Sequence, residues 1–269
     1  MSSYNDPRYD QNQYGQQPHG GAQYGGTQYE GSQAMAQSFA HPMFAADAAV
    51  SERVGFIRRT YLHLAGAILL FVALEAIVLN VVVPSVGAEA VMGWFSGYNM
   101  LILLFAFMGV SYMAQSWAHS GGNPGIQYLG LGLYVLFETI IFMPILVIAS
   151  TFYPGAIETA AVASIATFGG LTAFVFITKS DFSFLRSLLV VGGLAAMAVI
   201  VVSIFTGGGL GPLFSGAMIL LAIGYILYDT SNVLHRYRTD QHVAASLALF
   251  SSVAILFFYI LRLVMASRD

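Results

Sequence analysis

The stretch that decides the fold is Gln127–Ser150, which reads QYLGLGLYVLFETIIFMPILVIAS and holds a single charged side chain, Glu138. Its length matches the roughly 20 residues that an α-helix needs to cross a hydrocarbon layer of about 30 Å. Backbone groups inside such a layer find no water to bond, so a helix is the expected structure. The segment therefore predicts one membrane-spanning helix.

Six further runs of the same kind lie between Tyr61 and the C-terminus. In chain order, the seven are Tyr61–Val83, Met100–Ala118, Gln127–Ser150, Ile157–Thr178, Phe184–Phe205, Leu210–Leu234 and Ala244–Ala266. Turn residues separate them, as in Tyr153-Pro154-Gly155. The short alternating segments of an outer-membrane barrel are not seen. We predict an all-α polytopic protein in which residues 51–269 form a domain of seven transmembrane helices.

The composition supports the same class. The 269 residues are 57% hydrophobic and 9% charged, whereas a soluble domain usually carries about 25% charged residues. This deficit excludes an ordinary soluble enzyme. The chain has no cysteine, which excludes disulfides and cysteine-held metals. Its net charge of −3 gives no support to nucleic-acid binding, so the lipid bilayer is the expected partner.

Residues 1–50 have a different composition, rich in Gln, Gly, Tyr and Ser. Such a segment buries too little apolar surface to offset the entropy lost on ordering. We predict a disordered tail at residues 1–50, on the cytoplasmic side of the membrane.

Basic residues set the predicted orientation, because cytoplasmic loops are enriched in Lys and Arg. Arg53, Arg58 and Arg59 precede the first run and place the N-terminus in the cytoplasm. Arg262 and Arg268 are the exceptions, since seven spans put the C-terminus outside. A six-span arrangement with a re-entrant last run would remove that disagreement and remains an alternative.

Three carboxylates lie well inside the runs, namely Glu75, Glu138 and Asp229. Inserting a charged side chain at the centre of a membrane helix costs about 2.5–3.5 kcal/mol on insertion scales, so each of the three requires an explanation. Burial favours the protonated form of a carboxyl group, and the ionised form is a preferred Ca²⁺ ligand. The three residues are therefore candidates for a proton sensor or an ion pathway, although Glu75 and Glu138 could also be neutral packing groups.

Asp229 belongs to a polar string at the end of the sixth run. Asn232 and Arg236 follow at helical spacing and share its face, and Arg236 could reach back along the helix to pair with Asp229. Histidine is the side-chain type that ordinarily changes charge near neutral pH, so His235 is either a candidate proton sensor or simply a solvated cap. The sequence has no HExxH motif and no phosphate-binding P-loop, and we predict that the protein is not an enzyme.

Two motifs carry a resemblance to a known family. Gly224–Thr230 reads GYILYDT, and Lys179–Leu185 reads KSDFSFL before the fifth run. With Glu138 in the third run, they resemble the Bax inhibitor-1/YccA-like family of membrane proteins, in its bacterial branch, over about residues 50–266. The resemblance implies seven helices with the last near the centre, in a bacterial plasma (inner) membrane. It also implies a pH-sensitive Ca²⁺ leak in which two intramembrane aspartates share a proton, one of them at Asp229.

The second aspartate of that pair is missing here. The matching stretch reads Leu249-Phe250-Ser251-Ser252, so Ser252 stands in place of the carboxylate and Ser251 precedes it. One interpretation is that Glu138 supplies the second carboxylate from another helix. The alternative is a non-conducting membrane protein that binds and modulates other machinery, such as a membrane protease. In either case no cofactor is expected beyond transient Ca²⁺.

Overall fold

The computed structural model describes residues 44–120 and 123–268. Most of the predicted tail, residues 1–43, lies outside the described residues. At its end, Ala45 is fully buried and its backbone N–H donates to the Tyr237 carbonyl oxygen at 2.8 Å. The folded part of the chain therefore begins before the boundary that was predicted at residue 51.

Seven long helices follow. They are α1 (Val50–Val86), α2 (Tyr98–Ala118), α3 (Pro124–Phe152), α4 (Ala156–Thr178), α5 (Leu185–Thr206), α6 (Pro212–His235) and α7 (His242–Ala266). All seven are long and apolar enough to cross a membrane. The prediction of an all-α protein with seven transmembrane helices is confirmed for the described part of the chain. A short helix, Ala88–Trp94, joins α1 to α2.

The helix boundaries follow from local chemistry. The Asn123 side chain caps α3 by accepting the Gly125 N–H at 3.0 Å, and Pro124 starts the helix where its missing N–H costs nothing. Lys179 follows the end of α4 and Gly207 follows the end of α5, and both residues adopt the left-handed backbone conformation. α1 contains one π-helical turn, Val78–Val82, and it continues as an α-helix to Val86.

The last helix lies at the centre of the bundle, as the resemblance implied. α7 packs against α1, α2, α3, α4 and α6, whereas α5 packs against α6 and α2. Small residues such as Ala244, Ala245 and Ser246 are fully buried on α7. Small side chains let helix backbones approach closely, which matters in lipid because burial from water gives no drive there.

The six-span alternative is wrong. α7 is one continuous helix of 25 residues, about 37 Å long at 1.5 Å per residue. Near its start, the Arg59 guanidinium donates to the Thr239 carbonyl oxygen at 3.5 Å. Beyond its end, the Arg268 guanidinium donates to the carbonyl oxygen of Pro154, in the α3–α4 loop. The last helix therefore runs from one end of the bundle to the other instead of turning back.

Candidate functional site

The buried Asp229 carboxyl on α6 is held by Ser252 on α7. Ser252 Oγ donates to Asp229 Oδ2 at 2.5 Å, and the two residues are only 3% and 8% exposed. α6 and α7 pack closely along their length, which brings the two side chains within reach. The position that was predicted to replace the second carboxylate is thus a hydrogen-bond donor to Asp229.

The neighbouring Ser251 points to a different helix. Successive residues of a helix are about 100° apart, so Ser251 faces α3 while Ser252 faces α6. The Tyr134 hydroxyl donates to Ser251 Oγ at 2.8 Å. The Glu138 carboxyl lies near the Tyr134 hydroxyl, one helical turn further along α3. The two adjacent serines of α7 therefore bond to two different helices, Ser251 to α3 and Ser252 to α6.

Glu75 extends this set onto α1. Its carboxyl interacts electrostatically with that of Glu138, and both residues are buried. Three of the four oxygens of the two carboxyls, both of Glu75 and Oε2 of Glu138, have no hydrogen-bond partner among the described residues. Burying charged carboxylates without partners costs several kcal/mol, so this pair favours protons or a bound cation.

The carboxylate beside Glu138 is therefore Glu75. Asp229 instead accepts the Ser252 hydroxyl. The hypothesis that Glu138 supplies the second carboxylate from another helix stays a prediction. Two hydrogen bonds to α7, Tyr134 to Ser251 and Ser252 to Asp229, lie between these carboxyl groups. We call the following six residues of α1, α3, α6 and α7 the polar thread: Glu75, Tyr134, Glu138, Asp229, Ser251 and Ser252.

Arg236 does not pair with Asp229. Its Nη2 lies 3.4 Å from Oδ2 of Asp181, in the α4–α5 loop, and both side chains are about half exposed. α6 ends at His235, so Arg236 begins the loop and leaves the helical face on which Asp229 lies. The Ser183 backbone N–H, together with the Arg236 guanidinium, holds the pKa of Asp181 below its usual value.

The other two supporting residues have separate places. Asn232 is 8% exposed on the Asp229 face of α6, and its Oδ1 has no partner among the described residues. The His235 ring Nδ1 lies 3.0 Å from the Ser231 carbonyl oxygen, one turn back. The His235 ring therefore bonds back to the last turn of α6, and its role stays a prediction.

A polar cavity of about 490 Å³ opens at this end of the bundle. We call it the vestibule; its lining residues are His119, Ser183, Arg186, Tyr228, Asn232, Arg236, Tyr237 and Gln241. Two of the lining residues are close to Asp229 along α6: Tyr228 precedes it, and Asn232 follows one helical turn later. Burial raises the pKa of Tyr237, so its hydroxyl stays neutral. Within residues 44–120 and 123–268, no group of three or more His, Asp and Glu side chains is arranged to hold a metal ion.

Sequence reasoning missed Tyr134 and Ser231. Tyr134 lies in an apolar run, where an aromatic residue gives no signal of its own. The Ser231 hydroxyl accepts the Phe182 N–H at 3.0 Å and donates to the Ser180 carbonyl oxygen at 3.3 Å. This side chain attaches the α4–α5 loop to the end of α6, and only a known helix arrangement reveals such a long-range contact.

Comparison with known proteins places the chain in a family. Residues 53–269 match the family model described as inhibitor of apoptosis-promoting Bax1. Bax inhibitor 1 of Schizosaccharomyces pombe is 31% identical over 173 residues, which is 63% of this chain and 61% of that protein. Mouse protein lifeguard 4 is 25% identical over 232 residues, 85% of this chain and 92% of that protein.

A bacterial relative gives the same assignment. An uncharacterized protein of Pseudomonas aeruginosa is 28% identical over 172 residues, 61% of this chain and 73% of that protein. The family model covers most of the chain, and the described residues form seven helices able to span a membrane. The chain is therefore a multi-pass membrane protein that belongs to the Bax inhibitor family.

Proposed function

We propose that this protein is a pH-sensitive cation leak, with Ca²⁺ as the expected ion, and that protonation of Asp229 controls it. The observation that carries the proposal is the buried Asp229 carboxyl, held by Ser252 inside an apolar bundle and one helical turn from a polar cavity. An ionisable group at such a depth is costly and is typical of proton relays and ion pathways.

The arrangement suggests how protonation would act. With Asp229 ionised, its carboxylate and the unpartnered Oδ1 of Asn232 present oxygen ligands of the kind that Ca²⁺ prefers. A proton on Asp229 removes the negative charge and leaves a neutral hydrogen-bonded pair with Ser252. The polar thread then gives protons or cations further buried acceptors at Glu138 and Glu75.

The bacterial relative and the distribution of basic residues support an inner membrane with the N-terminus in the cytoplasm. Arg59, Arg236 and Arg186 all lie at the end of the bundle that holds the vestibule, and the positive-inside rule assigns that end to the cytoplasm. We propose no catalytic role and no resident cofactor, and we expect the lipid bilayer and cations as the partners.

The test is Ca²⁺ flux into proteoliposomes at acid and alkaline pH. We expect the wild type to conduct with a pH dependence that Asp229→Asn abolishes, because the amide cannot titrate. Glu158→Gln is the matched control, since it removes an exposed carboxylate at the start of α4, and it should behave as the wild type. Glu138→Gln should weaken the pH response without abolishing it.

Absence of flux above empty liposomes in every variant would overturn the proposal. The serine at position 252 then favours the other candidate, a non-conducting protein that modulates membrane machinery. A specific observation supports this candidate, since a serine hydroxyl supplies no charge for Ca²⁺. Deleting residues 1–43 separates the two candidates further, because a leak should conduct without them.

A further inference from the structure

We infer that the vestibule is a binding site for a phosphate-type anion, recognised by Arg186 and Arg236. The binding itself stands apart from the proposed leak, whereas its consequence for ion flux rests on the proposed function. The chemistry is shared by inorganic phosphate and by the headgroup of an anionic phospholipid, and the experiment below distinguishes the two.

Four separate parts of the chain build the cavity. His119 follows α2, Ser183 and Arg186 lie at the start of α5, Asn232 lies on α6, and Gln241 precedes α7. A volume of about 490 Å³ falls within the range of small-molecule sites. A pocket formed where several helix ends meet is held in shape by the bundle and is accessible from one side.

The lining is positive and contains no carboxylate. Arg186 makes no ion pair with any described residue, and Arg236 has only its exposed contact to Asp181 at 3.4 Å. A guanidinium presents paired N–H donors that match the oxygens of phosphate. The hydroxyls of Ser183 and Tyr228 add further donors around the same space.

The start of α5 adds to the preference for an anion. Its first turn has no side-chain cap, and a helix N-terminus carries a partial positive charge. The N–H groups of Leu185 and Arg186 already donate to the carbonyl oxygens of Phe182 and Ser183, so the contribution here is that partial charge. Arg186 and Ser183 flank this N-terminus. A helix end alone is not a site, but here it borders a cavity that already holds two guanidinium groups.

A positive vestibule is unfavourable for the entry of Ca²⁺. Arg186 makes no ion pair with a described residue, and Asp181 offsets only part of the charge of Arg236. The remaining positive charge repels a divalent cation before it reaches Asn232 and Asp229. A phosphate group bound between Arg186 and Arg236 removes that repulsion. We therefore expect anion binding to increase cation flux, which makes the vestibule a regulatory site.

The test measures binding on the full-length protein in phosphatidylcholine nanodiscs, by thermal unfolding. One arm titrates inorganic phosphate, and the other replaces part of the lipid with phosphatidylglycerol. We expect the unfolding midpoint to rise in at least one arm. Arg186→Gln should lower the apparent affinity at least about tenfold, as expected for loss of a charged hydrogen-bond donor.

Two controls make the result specific. Arg58→Gln removes an exposed arginine at the same end of the bundle but outside the vestibule, and it should keep the full response. Arg186→Lys retains the charge and should keep part of it. A response to phosphate identifies a soluble anion as the ligand, and a response to phosphatidylglycerol alone identifies a lipid headgroup.

No midpoint shift in either arm, or an equal shift in Arg186→Gln and the wild type, would overturn the inference. Neither result depends on ion flux, so failure of the anion site can be distinguished from failure of the proposed leak. If the wild type binds the anion and conducts but the anion leaves the flux unchanged, the regulatory role is wrong and binding alone remains.

Discussion

Replacing Ser252 with alanine removes the donor that holds the Asp229 carboxyl. The bond spans 2.5 Å between two buried groups. A hydrogen bond to an ionised group contributes about 1.5–3 kcal/mol, and one between neutral groups contributes about 1 kcal/mol. The difference, about 1 kcal/mol, is the extra stabilisation that Ser252 gives to the ionised form of Asp229 relative to its protonated form. At 1.36 kcal/mol per pH unit, Ser252→Ala should move the midpoint of the pH-dependent flux upward by roughly 0.7 unit.

The assay is proteoliposome flux measured across closely spaced pH values, with Ser252→Thr as the control because threonine keeps the hydroxyl. Thermal unfolding in detergent should show that Ser252→Ala lowers the free energy of unfolding by about 0.6 kcal/mol and at most about 1.7 kcal/mol. These are the values for hydrogen bonds between membrane helices. A midpoint that stays unchanged in Ser252→Ala, while the threonine control also matches the wild type, would refute the assignment of Ser252 as the group that sets the proton affinity of Asp229.

Tyr134→Phe removes the donor to Ser251 and should reduce pH-dependent flux at a cost of about 1 kcal/mol in stability; unchanged flux would remove Tyr134 from the pathway. Asp181→Asn breaks a half-exposed ion pair with Arg236 and should cost at most about 1 kcal/mol in thermal unfolding. The pKa of Asp181 in the folded protein is lowered from 3.8, so the stability that this ion pair gives is fully present above pH 3.8. It is lost only as the pH falls through the lowered pKa. A changed flux midpoint near neutral pH in Asp181→Asn would therefore contradict a purely structural role for the ion pair. Gly130→Ala should lower the free energy of unfolding by about 1–3 kcal/mol, because a Cβ there would lie 2.6 Å from a backbone oxygen of α2. Gly132→Ala is the control, since a Cβ there meets nothing within 4 Å, and its free energy of unfolding should not change.

The helices were predictable because their signal is local. A run such as Gln127–Ser150 lies inside the observed helix Pro124–Phe152 and ends within three residues of it at each side. Apolar length and turn residues between runs are properties of the chain itself, and backbone hydrogen bonding in lipid leaves the helix as the single solution. The first helix was predicted less well, since its first turns from Val50 to Thr60 carry Glu52 and three arginines.

The candidate site was predictable in part. Asp229, Glu138 and Glu75 stand out in the sequence because charge is rare inside apolar runs, and all three are buried. Their pairing was not predictable. Arg236 shares the helical register of Asp229, but the helix ends one residue before it, and Asp181 lies closer in space.

The sequence by itself determined the class of this protein, the number of its membrane helices and the identity of its buried ionisable groups. These follow from composition and from periodicity within single helices. Only the tertiary structure decided that Ser252 donates to Asp229, that Tyr134 donates to Ser251, and that Arg186 lines a cavity beside Asn232. Contacts between helices depend on how each helix is rotated and packed against its neighbours. The residue pattern within one helix does not show that rotation.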